Sequence, residues 1–123
     1  MKAVRVLLVE DNEMFRQTLE MIFGLRDDVE VVGSVSSGDD APDVCRKLDP
    51  DVVLVDYRMP GLNGAEATRA VLEACPRTRV VCLTASVTAE EEQEVLAAGA
   101  VACVMKDGDF HRLVEVVREA AAS

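Results

Sequence analysis

The sequence predicts an α/β fold in which a five-stranded parallel sheet is sandwiched between two layers of helices. Three observations predict it. Short runs rich in β-branched residues alternate with longer segments of helical period, five pairs in all, and this alternation builds parallel strands joined by crossover helices. Several short runs are apolar on both faces, Val52-Val53-Leu54-Val55 most clearly, as strands covered on both sides must be. The chain has 123 residues, 50% of them hydrophobic, which suits one domain over residues 1–123 that folds around its own core.

The elements follow in order. Val4 to Val9 is the first strand, and Phe15, Leu19 and Ile22 at i, i+4 and i+7 give the next helix one buried stripe. Val29 to Val35 is the second strand. The second helix begins near Pro42, which a first turn tolerates, and stops around Asp49, because Pro50 disfavours helical geometry in the residue before it. Val52 to Val55 and Arg79 to Leu83 are the third and fourth strands, with the third helical segment between them. The fourth helix opens on a capping box, Thr88-x-x-Glu91, and stacks Glu90, Glu91 and Glu92 near the positive end of its dipole. That structural role is sufficient for the three glutamates, and no catalytic one is assigned. Gly99 ends this helix as a left-handed cap. Ala102 to Met105 is the fifth strand, and Phe110, Leu113, Val114 and Val117 repeat the helical stripe.

Composition excludes several functions. With 23 acidic and 13 basic side chains the net charge is −10, a field that repels phosphate backbones and anionic lipid, so neither nucleic acid nor membrane is expected as a direct partner. The longest apolar run, Leu96 to Met105, is about half of the roughly 20 residues that a membrane helix needs. Val6-Leu7-Leu8-Val9 is too short for a secretion signal, and the expected location is cytoplasmic. Cys45, Cys75, Cys82 and Cys103 form no C-x-x-C pair, and His111 is the single histidine. The cysteines read as reduced packing residues and His111, beside Arg112, as a surface residue. Aromatics at 3% with no Trp argue against flavin or base-stacking sites.

The informative polar residues fall just after strands: Glu10 and Asp11 after the first, Asp56 after the third, Thr84 after the fourth and Lys106 after the fifth. Open parallel sheets bind ligands outside these carboxyl ends, where strand order reverses. The order 2-1-3-4-5, taken over from known doubly wound sheets, makes strands one and three neighbours and puts Glu10, Asp11 and Asp56 in one cleft. Three carboxylates held together repel unless a cation joins them, and oxygen donors without His or Cys suit Mg²⁺ or Mn²⁺ rather than zinc. Such an ion implies a phosphate ligand. A carboxylate can itself attack phosphorus to form an aspartyl phosphate, with a metal on one side, a lysine on the other and small donors around the equatorial oxygens. Taken singly, Glu10-Asp11-Asn12 also reads as a helix start, Thr84 as a capping hydroxyl and Lys106 as a solvated charge. Asp56, an acid ending a buried strand, has no such easy structural account.

These segments resemble the receiver domain of bacterial two-component response regulators, a flavodoxin-like fold. The matching pieces are Val9-Glu10-Asp11-Asn12, Asp56 to Gly64, Leu83-Thr84-Ala85-Ser86 and Val104-Met105-Lys106-Asp107, in order and in register over Lys2 to about Ala121. The resemblance implies that Asp56 accepts a phosphoryl group from a sensor histidine kinase. It implies an ion held by Asp11, Asp56, the backbone carbonyl of Arg58 and, through water, Glu10. Thr84, the backbone N–H of Ala85 and Lys106 would bind the phosphoryl oxygens. The resemblance further implies that Thr84 moves inward on phosphorylation while an aromatic three residues before the lysine rotates. That position is Cys103, too small for the same motion, so the switch is expected to be altered. Arg58 and Ser86 occupy places that influence removal of the phosphoryl group, and a long cation at Arg58 could screen it from water.

Lys106-Asp107-Gly108-Asp109 resembles the subgroup with a LuxR-type helix-turn-helix output domain that controls transcription, and with it phosphorylation-dependent homodimerisation. No such domain follows Ser123; the chain reads as either a free-standing receiver or the receiver part of a longer protein, and the subgroup resemblance favours the second. Competing readings are a docking module without phosphotransfer and an aspartate-nucleophile phosphatase, whose second acid would stand at Arg58. No G-x-G-x-x-G turn or Walker loop follows any strand, against nucleotide binding. A signalling module rather than a turnover enzyme is expected.

Overall fold

The computed structural model describes residues 2–85 and 88–123. Strands β1 (Val4–Val9), β2 (Val29–Val35), β3 (Val52–Asp56), β4 (Arg79–Thr84) and β5 (Ala102–Met105) alternate with helices α1 (Glu13–Gly24), α2 (Ala41–Leu48), α3 (Gly64–Ala74), α4 (Ala89–Ala97) and α5 (Phe110–Ala122). All pairings are parallel, in the order β2-β1-β3-β4-β5. The expected α/β sandwich and its strand order are therefore observed.

Alternation along each strand divides the core in two. Val6 and Leu8 of β1, Leu54 of β3 and Val81 and Leu83 of β4 pack with Leu19 and Phe23 of α1 and Leu113, Val114 and Val117 of α5. Their neighbours Leu7, Val9, Val53, Val55, Val80 and Cys82 face the other way, toward Cys45 of α2, Val71 of α3 and Val95 of α4. A period of two feeding both faces with apolar residues explains why β3 is buried at every position.

The helix ends are chemically marked. Asn12 caps α1 by accepting from the Phe15 amide at 2.9 Å. Pro42 lies in the first turn of α2, which starts one residue before it, and Asp49 ends that helix in the left-handed region with φ 49°. Reciprocal capping boxes open α3 (Asn63 with Glu66) and α4 (Thr88 with Glu91). Gly99 follows α4 at φ 116°, the backbone turn expected of it.

The sheet register sets up the site. Val9 of β1 is level with Val55 of β3, so Glu10 and Asp11 emerge beside Asp56. Asp56 is level with Leu83, and Thr84 with Met105, which brings the residue after β5 to the same rim. Asp56 and Thr84 still belong to the ladder, so both strands run one residue longer than their apolar runs.

Candidate phosphoacceptor and metal site

Glu10, Asp11 and Asp56 each direct a carboxylate oxygen to one place, where these atoms lie within 4.8 Å of one another. Their environments differ. Asp11 is exposed, whereas Glu10 is 2% and Asp56 7% exposed. Lys106 reaches over from the end of β5, its Nζ 2.6 Å from Glu10 Oε1 and 3.3 Å from Asp56 Oδ2. The same ammonium lies 4.5 Å from the centre of the Phe15 ring, a cation–π contact that helps hold it over the pocket.

Glu10 is fixed from several sides. Its Oε2 accepts from the Asn12 amide at 3.1 Å, its own amide donates to Val35 O, and its carbonyl accepts from the Arg16 guanidinium. Oε1 meets Lys106 as an ion pair without hydrogen-bond alignment, and is the one buried side-chain oxygen among the described residues that lacks an aligned donor. Burial pushes the Glu10 carboxyl up to about 7, with the Asp56 charge adding to the rise and the contacts to Lys106 and Asn12 opposing it. A misaligned, desolvated carboxylate oxygen beside two further acids fits a hard divalent cation, which lowers the repulsion and takes oxygen donors in place of water.

The loops after β3 and β4 complete the rim. Tyr57 donates its amide to Leu83 O at 3.1 Å and accepts from the Gly64 amide at 2.7 Å, which draws the start of α3 against Asp56. Only glycine permits that approach, since a Cβ at Gly64 would stand 2.7 Å from the Tyr57 Cα. Thr84 is fully buried at the end of β4, its carbonyl accepts from the Lys106 amide at 2.7 Å, and Ala85 follows at the surface. Cys103 lies in β5, partly buried on the sheet face that packs against α2, α3 and α4. Ser86 lies outside the described residues.

Arg58 and Glu91 make a contact that no sequence pattern announces: the Arg58 guanidinium contacts Glu91 at 2.9 and 3.1 Å and stacks over Tyr57. Glu91 accordingly does more than cap α4, since the oxygen that accepts from the Thr88 amide also takes Arg58. His111 stays on the surface, 2.9 Å from Glu115. Sequence reasoning also missed Phe15 beneath Lys106 and the cap of α3. The pattern Asn63-x-x-Glu66 could have signalled the cap; contacts made across loops carry no local signature.

Comparison with known proteins places this arrangement. The family described as the response regulator receiver domain matches residues 6–118. The chain belongs to that receiver family. It is 35% identical over 115 residues to the response regulator GacA of Pseudomonas viridiflava, covering 94% of this chain and 54% of that protein. It is 30% identical over 118 residues to the transcriptional regulatory protein LiaR of Bacillus subtilis, covering 96% and 56%. The chain thus spans about half the length of these curated relatives. The signal receiver domain of the response regulator NarL from Mycobacterium tuberculosis superposes with a TM-score of 0.94 at 32% identity, covering 100% of this chain and 99% of that one. A LuxR-family response regulator from Aurantimonas sp. SI85-9A1 gives 0.91 at 27% identity, covering 98% and 86%. Receiver domains are signalling modules rather than turnover enzymes, bind Mg²⁺ at an acidic pocket, interact with histidine kinases and often dimerise. Among the described residues no helix is long and apolar enough to cross a membrane.

Proposed function

We propose that residues 1–123 act as a phosphoacceptor receiver domain that takes a phosphoryl group from a sensor histidine kinase onto Asp56. The observation that carries this reading is the gathering of Glu10, Asp11 and Asp56 oxygens within 4.8 Å, with Lys106 Nζ 3.3 Å from Asp56. An Asp56 carboxylate oxygen attacks phosphorus, the P–O bond forms as the P–N bond to the kinase imidazole breaks, and that electron pair returns to the ring nitrogen. Asp11, Asp56, the Arg58 carbonyl and, through water, Glu10 would hold Mg²⁺ or Mn²⁺, which would supply charge neutralisation at the phosphoryl oxygens. Lys106 neutralises charge on the opposite side, and the Thr84 hydroxyl and Ala85 N–H donate to the remaining oxygens. Glu10 holds the Lys106 ammonium in place before the phosphoryl group arrives.

In this reading Thr84 then moves toward the phosphoryl group, and with Cys103 in place of an aromatic ring its coupling to the α4 and β5 face is altered. The phosphorylated form pairs as a homodimer and controls transcription through a LuxR-type helix-turn-helix domain outside this chain. DNA contact belongs to that domain, and the receiver works in the cytoplasm.

The test is incubation with a small phosphodonor, with and without Mg²⁺, beside Asp56→Asn. Mg²⁺-dependent label that is acid-stable, base-labile and lost in the variant supports the proposal. Label absent from both proteins favours a docking module without phosphotransfer, and sustained phosphate release in excess over protein favours a phosphatase.

A further inference from the structure

We propose that Cys82 and Cys103 form an oxidisable dithiol, which hydrogen peroxide converts to an intramolecular disulfide joining β4 to β5. The two residues are register partners on adjacent parallel strands, and both side chains belong to the sheet face covered by α2, α3 and α4. Neighbouring strands lie about 4.8 Å apart, inside the roughly 4.4–6.8 Å of Cα separation that a disulfide spans. Both are free thiols, Cys82 fully buried and Cys103 partly exposed.

Access and acidity assign the order of events. The neighbouring Cys82 thiol holds the Cys103 thiol below its usual range against the opposing effects of burial and Glu92. The same contact and burial push the Cys82 thiol up. Cys103, the more accessible of the two sulfurs, is the attacking thiolate. Its sulfur attacks one peroxide oxygen, the O–O bond breaks, water departs after protonation, and Cys103 becomes a sulfenic acid. The Cys82 sulfur then attacks Cys103, the S–S bond forms, the S–O bond breaks, and hydroxide leaves with the Cys82 proton as a second water. The two thiols lose two electrons and the peroxide gains them.

This chemistry does not depend on phosphorylation of Asp56. Its consequence falls on the same rim, because Cys82 stands two residues before Thr84 and Cys103 three before Lys106. Cys45 and Cys75 supply an internal comparison. Cys45 is buried on a helix, 3.7 Å from the Thr78 hydroxyl, and burial pushes its thiol up to about 12.

The experiment treats the fully reduced chain with hydrogen peroxide, blocks remaining thiols with N-ethylmaleimide and maps peptides by mass spectrometry. Joined Cys82 and Cys103 peptides, lost on adding dithiothreitol, are expected in a chain that stays monomeric. Cys82→Ala should lose the cross-link and yield a Cys103 adduct with dimedone; Cys103→Ser, at the less buried site, should lose the cross-link while leaving Cys82 free to N-ethylmaleimide after denaturation. Joining of Cys45 to Cys75 instead, disulfides only between chains, or full alkylation of Cys103 after peroxide would overturn the proposal.

Discussion

Arg58 and Glu91, 33 residues apart in sequence, are joined by one guanidinium nitrogen that contacts both carboxylate oxygens. The Arg58 side chain is 57% exposed, so the pair contributes only about 0.2–1 kcal/mol to stability. Its position beside the phosphoacceptor matters more. Arg58→Ala is expected to lower the melting temperature by no more than about 4 °C, while the lifetime of phosphoryl label on Asp56 changes several-fold. Equal lifetimes in a decay assay would reject this.

Divalent metal should stabilise the fold before any phosphoryl transfer. At ten times its dissociation constant, Mg²⁺ adds about 1.4 kcal/mol by mass action. That corresponds to a rise of roughly 3–6 °C in a thermal melt. Asp11→Asn, exposed and outside the ladder, should remove most of the rise without harming the fold. A wild-type melt indifferent to Mg²⁺ would count against the site.

Acid sensitivity can be assigned at Asp28. Asp28 lies 2.8 Å from Arg26 and 3.4 Å from Arg118, and the Arg26 hydrogen bond holds its carboxyl below the ordinary range. A lowered folded value means that the contribution is complete above the unfolded value and is lost as pH falls through the folded one. Urea midpoints of wild type and Asp28→Asn should therefore differ at about pH 7 and converge toward about pH 3. A gap that persists in acid would exclude the carboxylate as its cause.

Gly99→Ala tests the turn between α4 and β5. The glycine sits at φ 116°, and a Cβ there would run into Leu72 Cδ1. The variant is expected to lose about 1 kcal/mol or more, read as a lower urea midpoint with an unchanged slope. A gain in stability would show that the turn relaxes freely.

Much of this was legible in the residues. The bounds of β1, β2 and β5 follow from their apolar runs, since a buried strand needs little else to declare itself. Asp56 and Thr84 were read as lying just past β3 and β4 because a polar side chain interrupts the pattern; their backbones pair regardless. Glu10, Asp11, Asp56 and Lys106 could be brought together once strand order was supposed, because position after a strand fixes position on the rim. The pairing of Arg58 with Glu91 and the seat of Lys106 over Phe15 could not. They depend on how two loops and a helix face meet, and no periodicity encodes that.

The layer beneath α1 and α5 joins the beginning of the chain to its end: Val6 and Leu8 of β1 are sealed by Leu113, Val114 and Val117 of α5. During synthesis, β1 leaves the ribosome well before α5, so its apolar face must wait for this lid to arrive. A nascent chain stalled before Phe110 would display that greasy surface to chaperones and to other unfinished copies, so loss of α5 should yield aggregates rather than a smaller working domain.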